Sequence, residues 1–323
     1  MKRLRAQLWD NIFTHDIAWY ESCLWNRMED FSTLLLGETG TGKGAAAAAI
    51  GRSGFIPYNS NTQKFEESFT RAFVSINLSQ YPESLIESEL FGHRKGAFTG
   101  AIEKHDGIFA RCSQHGAIFL DEIGDVSIPV QIKLLQVLQE RTFSPVGSHD
   151  KIRFKGRVIA ATNKSINALR RSGTFRDDFY YRLCSDLITV PPLRQRIREM
   201  PRELDALAGH LMQRICGPKL QLPVIDVLKQ SCGKNYAWPG NVRELEQAIR
   251  RIMLTGTYEG DTAADLPDEV ALGQAIESGN LSAKELVEKY CCDLYETYGN
   301  YGEVARRTGL DWRTVKKNVV AGL

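Results

Sequence analysis

A chain of 323 residues is too long for one ordinary core and suits two or three domains. Its 43% hydrophobic and 25% charged residues exclude pervasive disorder, and no run of about 18 apolar residues occurs, which excludes a spanning helix. The formal net charge of +2 selects no partner class, so the placement of charge matters more.

Lys2, Arg3 and Arg5 give a basic start, but Trp9, Asp10 and Asn11 interrupt any signal-peptide core. Residues 1–30 carry Trp9, Phe13, Trp19, Tyr20 and Trp25 at loosely helical spacing, predicting an amphipathic helix packed on the domain C-terminal to it. From 31 to 190, short apolar runs alternate with helical patterns, the signature of a parallel α/β sheet. The expected strands are Thr33–Leu36, Ala72–Asn77, Ala117–Asp121, Arg157–Thr162 and Asp186–Val190. Past Pro191 and Pro192 the pattern is helical to Met253, with breaks at Gly217-Pro218 and Pro239-Gly240, giving a helical subdomain over 191–256. A Gly-, Thr- and Asp-rich stretch from Thr255 to Asp268 predicts a linker, taken as 257–280, before a last all-helical piece over 281–323. The seven cysteines form no CxxC pair and leave an odd thiol, so reduced thiols and a cytoplasmic location are expected. Adjacent Cys291 and Cys292 read as packing residues.

The first strand runs into Gly37, Glu38, Thr39, Gly40, Thr41, Gly42 and Lys43, and then a helix. Glycines let successive N–H groups turn around phosphate oxygens, the lysine reaches the β- and γ-phosphates, and the helix adds its positive end. This predicts ATP as ligand. Gly44 stands where most such loops place Ser or Thr for the metal, so magnesium must lean on carboxylates and water. Ala117–Leu120 is a buried-strand pattern ending in Asp121 and Glu122. Beside a phosphate loop, Asp121 is expected to hold magnesium and Glu122 to polarise the attacking water. In isolation the pair would be an ordinary acidic strand end. Asn163, ending Ala160–Thr162, offers an amide beside the γ-phosphate; alone it would be a strand-end cap.

Gly96, Ala97, Phe98, Thr99, Gly100 and Ala101 resemble the signature loop of the sigma-54-dependent transcription activators, a branch of the AAA+ ATPases. Four further stretches resemble the same family: PESLIESELF (82–91), DEIGD (121–125), QIKLLQVLQER (131–141) and WPGNVREL (238–245). The resemblance covers about 31–255 and the C-terminal piece. It implies an AAA+ P-loop subdomain of parallel sheet and helices over 31–190, a lid over 191–256, and an oligomeric ring, expected to be a hexamer. The 96–101 loop would contact the sigma-54 subunit of RNA polymerase, its small residues flanking one apolar and one hydroxyl side chain. Asn77 would be the switch that holds the catalytic glutamate back. Arg176 and Arg182, less than two helical turns apart, would be fingers reaching a neighbour's γ-phosphate. Arg243 would be the second nucleotide sensor. Three features depart from the family: Gly44, where Glu is common; a longer polar insertion from Ser53 to Arg71; and 30 leading residues, too few for a receiver or sensing domain. A separate regulatory protein, control by expression, or a fragment of a longer chain would each account for the last.

The end of the chain reads as a helix Leu281–Thr297, a helix Glu303–Thr308, the turn Gly309-Leu310 and a helix Asp311–Ala321, the helix-turn-helix pattern. It resembles the Fis-type domain of these activators. Arg306, Arg307, Arg313, Lys316 and Lys317 face only Glu303 and Asp311. Arg313, Thr314 and Lys317 are expected at base edges, and Arg306, Arg307 and Lys316 at phosphate. The combined expectation is an ATP-hydrolysing remodeller of the closed sigma-54 polymerase complex, bound to upstream DNA. The alternative is a DNA-binding regulator whose ATPase is weakened by Gly44. An unfoldase or helicase loader lacks support, because no pore-loop aromatic motif replaces the 96–101 loop.

Overall fold

Every side chain of Ala117–Leu120 and of Arg157–Thr162 is buried, as central strands of a sheet covered on both faces require. The computed structural model describes residues 1–217, 224–232, 236–260 and 282–322. Contacts divide the chain into two units, Met1–Gly260 and Asp261–Leu323, which are described separately. The strands of the first unit are Thr33–Leu36 (β1), Tyr58–Asn59 (β2), Lys64–Phe65 (β3), Phe73–Asn77 (β4), Ala117–Asp121 (β5), Thr142–Phe143 (β6), Ile152–Arg153 (β7), Arg157–Thr162 (β8) and Asp186–Thr189 (β9). The main sheet is parallel with the order β4-β5-β8-β1-β9. All five expected strands form. Ala72 and Val190 fall just outside, yet the Ala72 carbonyl accepts from Ala117 and Val190 N–H donates to Leu36. Register sets Asn77 beside Asp121 and Leu36 beside Thr162, so the phosphate loop, the acidic pair and Asn163 share one sheet edge.

Period-two alternation divides the apolar residues between the faces. Leu34, Ile118, Leu120, Val158 and Ala160 share a core with the helices Glu83–Phe91 and Ile128–Glu140. Leu35, Phe119, Ile159 and Ala161 pack on the opposite face with Ile50 of the helix Lys43–Gly51. At roughly 1.5–3 kcal/mol per buried large apolar side chain, this double burial fixes the strand ends that carry the polar residues.

The N-terminal segment differs from expectation. One helix, Lys2–Phe13, stops at Thr14, whose φ is 65°; short turns at Ile17–Trp19, Tyr20–Leu24 and Met28–Asp30 follow. Trp9 and Trp19 are 57% and 59% exposed, so the aromatic stripe is not the buried face. Leu4 and Asn11 are buried instead. Asn11 accepts from Arg157 through its carbonyl (3.2 Å) and Oδ1 (2.9 Å), and its Nδ2 donates to Thr33 and Asp186. Arg157 also donates to the Phe31 carbonyl. Burial pushes Arg157 down to about 10, with Asp186 pulling it back up. A buried cation persists when hydrogen-bonded this fully, so polar anchoring, not aromatic burial, docks the segment.

The Ser53–Arg71 insertion lies at the surface as expected, but carries an exposed antiparallel β2–β3 hairpin. Its rings form a ladder, Tyr58 to Phe65 at 5.3 Å and Phe65 to Phe69 at 5.1 Å. Phe55 meets Trp25 edge-on at 4.6 Å.

Past Val190 the unit is helical: Leu193–Glu199, Arg202–Cys216, Val224–Ser231 and Asn241–Thr255 close around Trp238, Leu245 and Ile249. Pro218 and residues 261–280 of the expected linker lie outside the described residues, as does Leu281. In the second unit Ser282 caps the helix Ala283–Tyr298 through a capping box with Glu285. The helices Tyr301–Thr308 and Trp312–Gly322 follow, enclosing Cys291, Val304, Val315 and Val319. None of the seven cysteines is in a disulfide. Among the described residues no helix is long and apolar enough to cross a membrane.

Candidate functional site

The loop after β1 turns into the helix Lys43–Gly51 and buries Lys43, whose Nζ donates to the carbonyls of Gly37 (2.8 Å) and Glu38 (3.2 Å). Burial lowers the lysine from its ordinary value, while Glu122 and Asp121 oppose that shift and Arg243 adds to it. These groups therefore lie within electrostatic range of Lys43. Thr41 caps the turn through the Glu38 carbonyl at 2.8 Å. Gly42 precedes the helix with φ at 102°. Gly44 has no steric reason to be glycine: a Cβ there meets only the Phe119 ring, at 3.8 Å.

Asp121 ends β5, and its Oδ1 accepts from the Glu122 N–H at 3.1 Å. Its other oxygen has no hydrogen bond among the described residues, which leaves a donor of the type magnesium prefers. Glu122 takes a left-handed φ of 57°, uncommon outside glycine, and its Oε2 accepts from the Asn163 N–H at 3.4 Å. Asn163 Nδ2 in turn donates to Thr39 Oγ1 at 2.8 Å. The third strand end is thus tied to both the acid and the phosphate loop. Asn77 stands beside Asp121 in register but is not on Glu122: its Oδ1 accepts from the Ser79 N–H (3.0 Å) and Oγ (2.8 Å). It caps the turn after β4, a local satisfaction that competes with the expected contact.

The helical subdomain reaches the loop through residues that sequence reasoning did not single out. Arg194 grips both Glu38 oxygens, with Nη1 to Oε2 at 2.7 Å and Nη2 on Oε1. Asn241, fully buried with φ at 54°, donates to Glu38 Oε2 and to the Thr39 carbonyl, each at 3.1 Å, and accepts from the Leu193 N–H at 2.7 Å. The Val242 N–H bonds the Gly40 carbonyl, and a Cβ on Gly40 would sit 2.2 Å from the Gly240 oxygen. Only glycine permits that approach. Glu38 is therefore a clasp to the helical subdomain. Arg243 is exposed beside Gly40. A signal for Asn241 existed in an Asn after Pro-Gly opening a helix; Arg194 stands among similar arginines and had none.

The 96–101 loop is closed by Gly96 N–H to the Ala101 carbonyl at 2.8 Å, with Gly96 and Gly100 at φ of 79° and 101°. Ala97 lies against Gly147, and Ala101 is buried. Phe98 is 38% exposed with one edge on the His93 ring, and Thr99 is exposed. The loop therefore presents a ring and a hydroxyl from a hydrogen-bonded base.

Arg176 holds the N-cap position of the helix Asp177–Leu183, and Arg182 lies in its last turn. Each has a partner within the chain: Arg176 holds Asp178 through two bonds, 3.0 and 2.6 Å, and Arg182 donates twice to the Leu138 carbonyl.

In the second unit Arg313, Thr314, Lys316 and Lys317 are exposed on the last helix, and the Arg313 guanidinium lies 5.7 Å from the Trp312 ring centre. Arg306 and Arg307 both bond Glu303, holding its carboxyl at about 2. Arg307 also lies over the Tyr298 ring.

Comparison with known proteins locates this arrangement. The Sigma-54 interaction domain matches residues 20–189, and the AAA+ ATPase lid domain matches residues 198–282. The chain is 39% identical over 267 residues to the Escherichia coli (strain K12) regulatory protein AtoC, covering 81% of this chain and 54% of that protein. It is 38% identical over 276 residues to the DNA-binding transcriptional regulator NtrC of Azospirillum brasilense, covering 83% and 53%. It is 39% identical over 293 residues to the E. coli K12 transcriptional regulatory protein ZraR, covering 88% and 62%. The chain thus spans about half the length of the first two of these relatives. NtrX from Brucella abortus, solved in complex with ATP, shares the fold at a TM-score of 0.57 and 23% identity, over 98% of this chain and 67% of that one.

Proposed function

The chain belongs to the sigma-54 interaction domain family and carries an AAA+ lid, and from that premise we propose an ATP-hydrolysing activator of sigma-54 RNA polymerase. The observation that carries the reading is the convergence of Lys43, Asp121, Glu122 and Asn163 on one sheet edge. Lys43 would neutralise the β- and γ-phosphates, and Glu122 would orient and polarise the attacking water. Magnesium, when bound, supplies further neutralisation of the phosphates; Asp121 would hold it, with water and phosphate completing its shell because Gly44 has no side-chain oxygen. Arg243 would read the nucleotide from the lid. Arg176 and Arg182 would complete the site of a neighbour in a ring, most simply a hexamer. Phe98 and Thr99 would dock on sigma-54 to remodel the closed promoter complex, while the C-terminal helices hold upstream DNA. Asn77 would act as the switch only after leaving Ser79.

Open-complex formation at a sigma-54 promoter tests the reading. Glu122→Gln is expected to bind ATP but neither hydrolyse it nor open the promoter, and Lys43→Ala to lose nucleotide binding. Thr99→Ala is expected to keep turnover within a small factor, yet escape trapping on sigma-54 by ADP with aluminium fluoride. Equal hydrolysis by wild type and Glu122→Gln, or normal opening by Thr99→Ala, sinks it. A DNA-bound regulator with a weak ATPase is what would then remain.

A further inference from the structure

The sheet carries a second concavity at the end opposite the phosphate loop. Ala117 opens β5, which ends in Asp121; Arg157 opens β8, which ends beside Asn163; and Gly51 closes the helix that Lys43 begins. These three far ends floor a cavity of about 530 Å³. Small-molecule sites occupy roughly 300–1,000 Å³. Its walls come from the N-terminal segment and from the start of the 53–71 stretch. Tyr20, Trp25 and Met28 stand on one side, with Phe55 and Pro57 on the other, and the Trp25–Phe55 edge contact joins them.

Besides the polar side chains of Asn26, Ser53, Gln114 and His115, it presents one phenol, two cations and one carboxylate. The Tyr20 hydroxyl interacts electrostatically with Arg157 but makes no hydrogen bond among the described residues. Arg157 lies at the base, with Asp186 countering part of its charge. Lys155 is exposed at the rim with a single 3.4 Å bond to Gln114. Glu29 is the one carboxylate lining the cavity. Flat aromatic walls favour a planar ring, and uncommitted donors beside two cations favour a negative end. We propose that this cavity binds a planar aromatic anion, at a site separate from that for the nucleotide.

The full chain, held in excess ADP, is titrated with 1-anilinonaphthalene-8-sulfonate, excited directly. One saturable site per chain is expected. Gly54→Trp should weaken binding at least tenfold: Gly54 lines the cavity at its exposed side, and a Cβ there meets only the His115 oxygen, at 3.7 Å. Lys155→Glu, at an exposed position where folding is not at stake, should weaken it about tenfold by reversing the rim charge. Trp9→Ala, an exposed aromatic outside the cavity, should leave it unchanged. Non-saturable binding, binding indifferent to both cavity variants, or an equal loss in Trp9→Ala overturns the proposal.

Discussion

Arg194 holds Glu38 with two parallel bonds, so the side chain next to the first glycine of the phosphate loop is fastened to the helix Leu193–Glu199. The Arg194 hydrogen bonds, aided by Asn241, keep the Glu38 carboxyl below the usual carboxylate range despite partial burial. A lowered carboxylate contributes stability above its unfolded value, about 4.3, and loses it as pH falls through the folded one. Arg194→Ala is expected to raise Glu38 back toward the ordinary carboxylate range and to weaken ATP binding several-fold, with Lys43 and Glu122 untouched. Carboxyl carbon NMR through the acid range and calorimetric ATP titration check both parts.

Gly44 is a free choice of the fold. Gly44→Ala should raise stability by ~0.5–1 kcal/mol from helix propensity alone, without a clash. Gly44→Ser adds an oxygen at the position most phosphate loops use for metal, and should tighten magnesium-ATP beyond the alanine variant. Thermal unfolding separates the first effect, and ATP affinity with and without magnesium the second.

The two candidate finger arginines should part company on stability. Arg176 makes an exposed, solvent-screened pair with Asp178, so its loss should leave stability almost unchanged. Arg182 satisfies the Leu138 carbonyl near the end of the helix Ile128–Glu140, so its loss should cost about 1 kcal/mol. Neither truncation should hydrolyse ATP alone. Arg176→Ala mixed with Lys43→Ala should recover turnover, since one donates the nucleotide site and the other the finger. A mixture that forms rings yet stays inactive at every ratio removes the assignment in trans.

Glu303 restrains two of the six residues expected on DNA. Its carboxyl stays ionised above about 2, so the restraint holds at every working pH and is lost only in strong acid. Glu303→Gln should free Arg306 and Arg307, raise affinity for random duplex, and steepen the salt dependence by about one to two logarithmic slope units. Binding isotherms at several salt concentrations would show it; an unchanged slope would leave both arginines outside the interface.

The central strands β1, β5 and β8 and the acidic pair were legible because a two-sided buried strand is a nearly continuous apolar run ended by polar residues. Asp121, Glu122 and Asn163 each stand at the end of such a run. The Glu38 partners were not legible, because Arg194 and Asn241 act across 156 and 203 positions of sequence. Asn77 was read from its place at a strand end, but a nearer hydroxyl at Ser79 captures its side chain. In the N-terminal segment, aromatic spacing suggested a buried face that Asn11 and Arg157 supply instead.

The position of β1 has a consequence for biosynthesis. It is the first strand of the main sheet to be made, yet its two neighbours, β8 and β9, are the last. At ~5–20 residues per second, Leu34 and Leu35 remain without their strand partners for on the order of ten seconds while Thr189 is awaited. Val190, whose N–H closes on Leu36, emerges later still. The strand that leads into the phosphate loop therefore gains the partners that bury it only once the whole sheet has been synthesised.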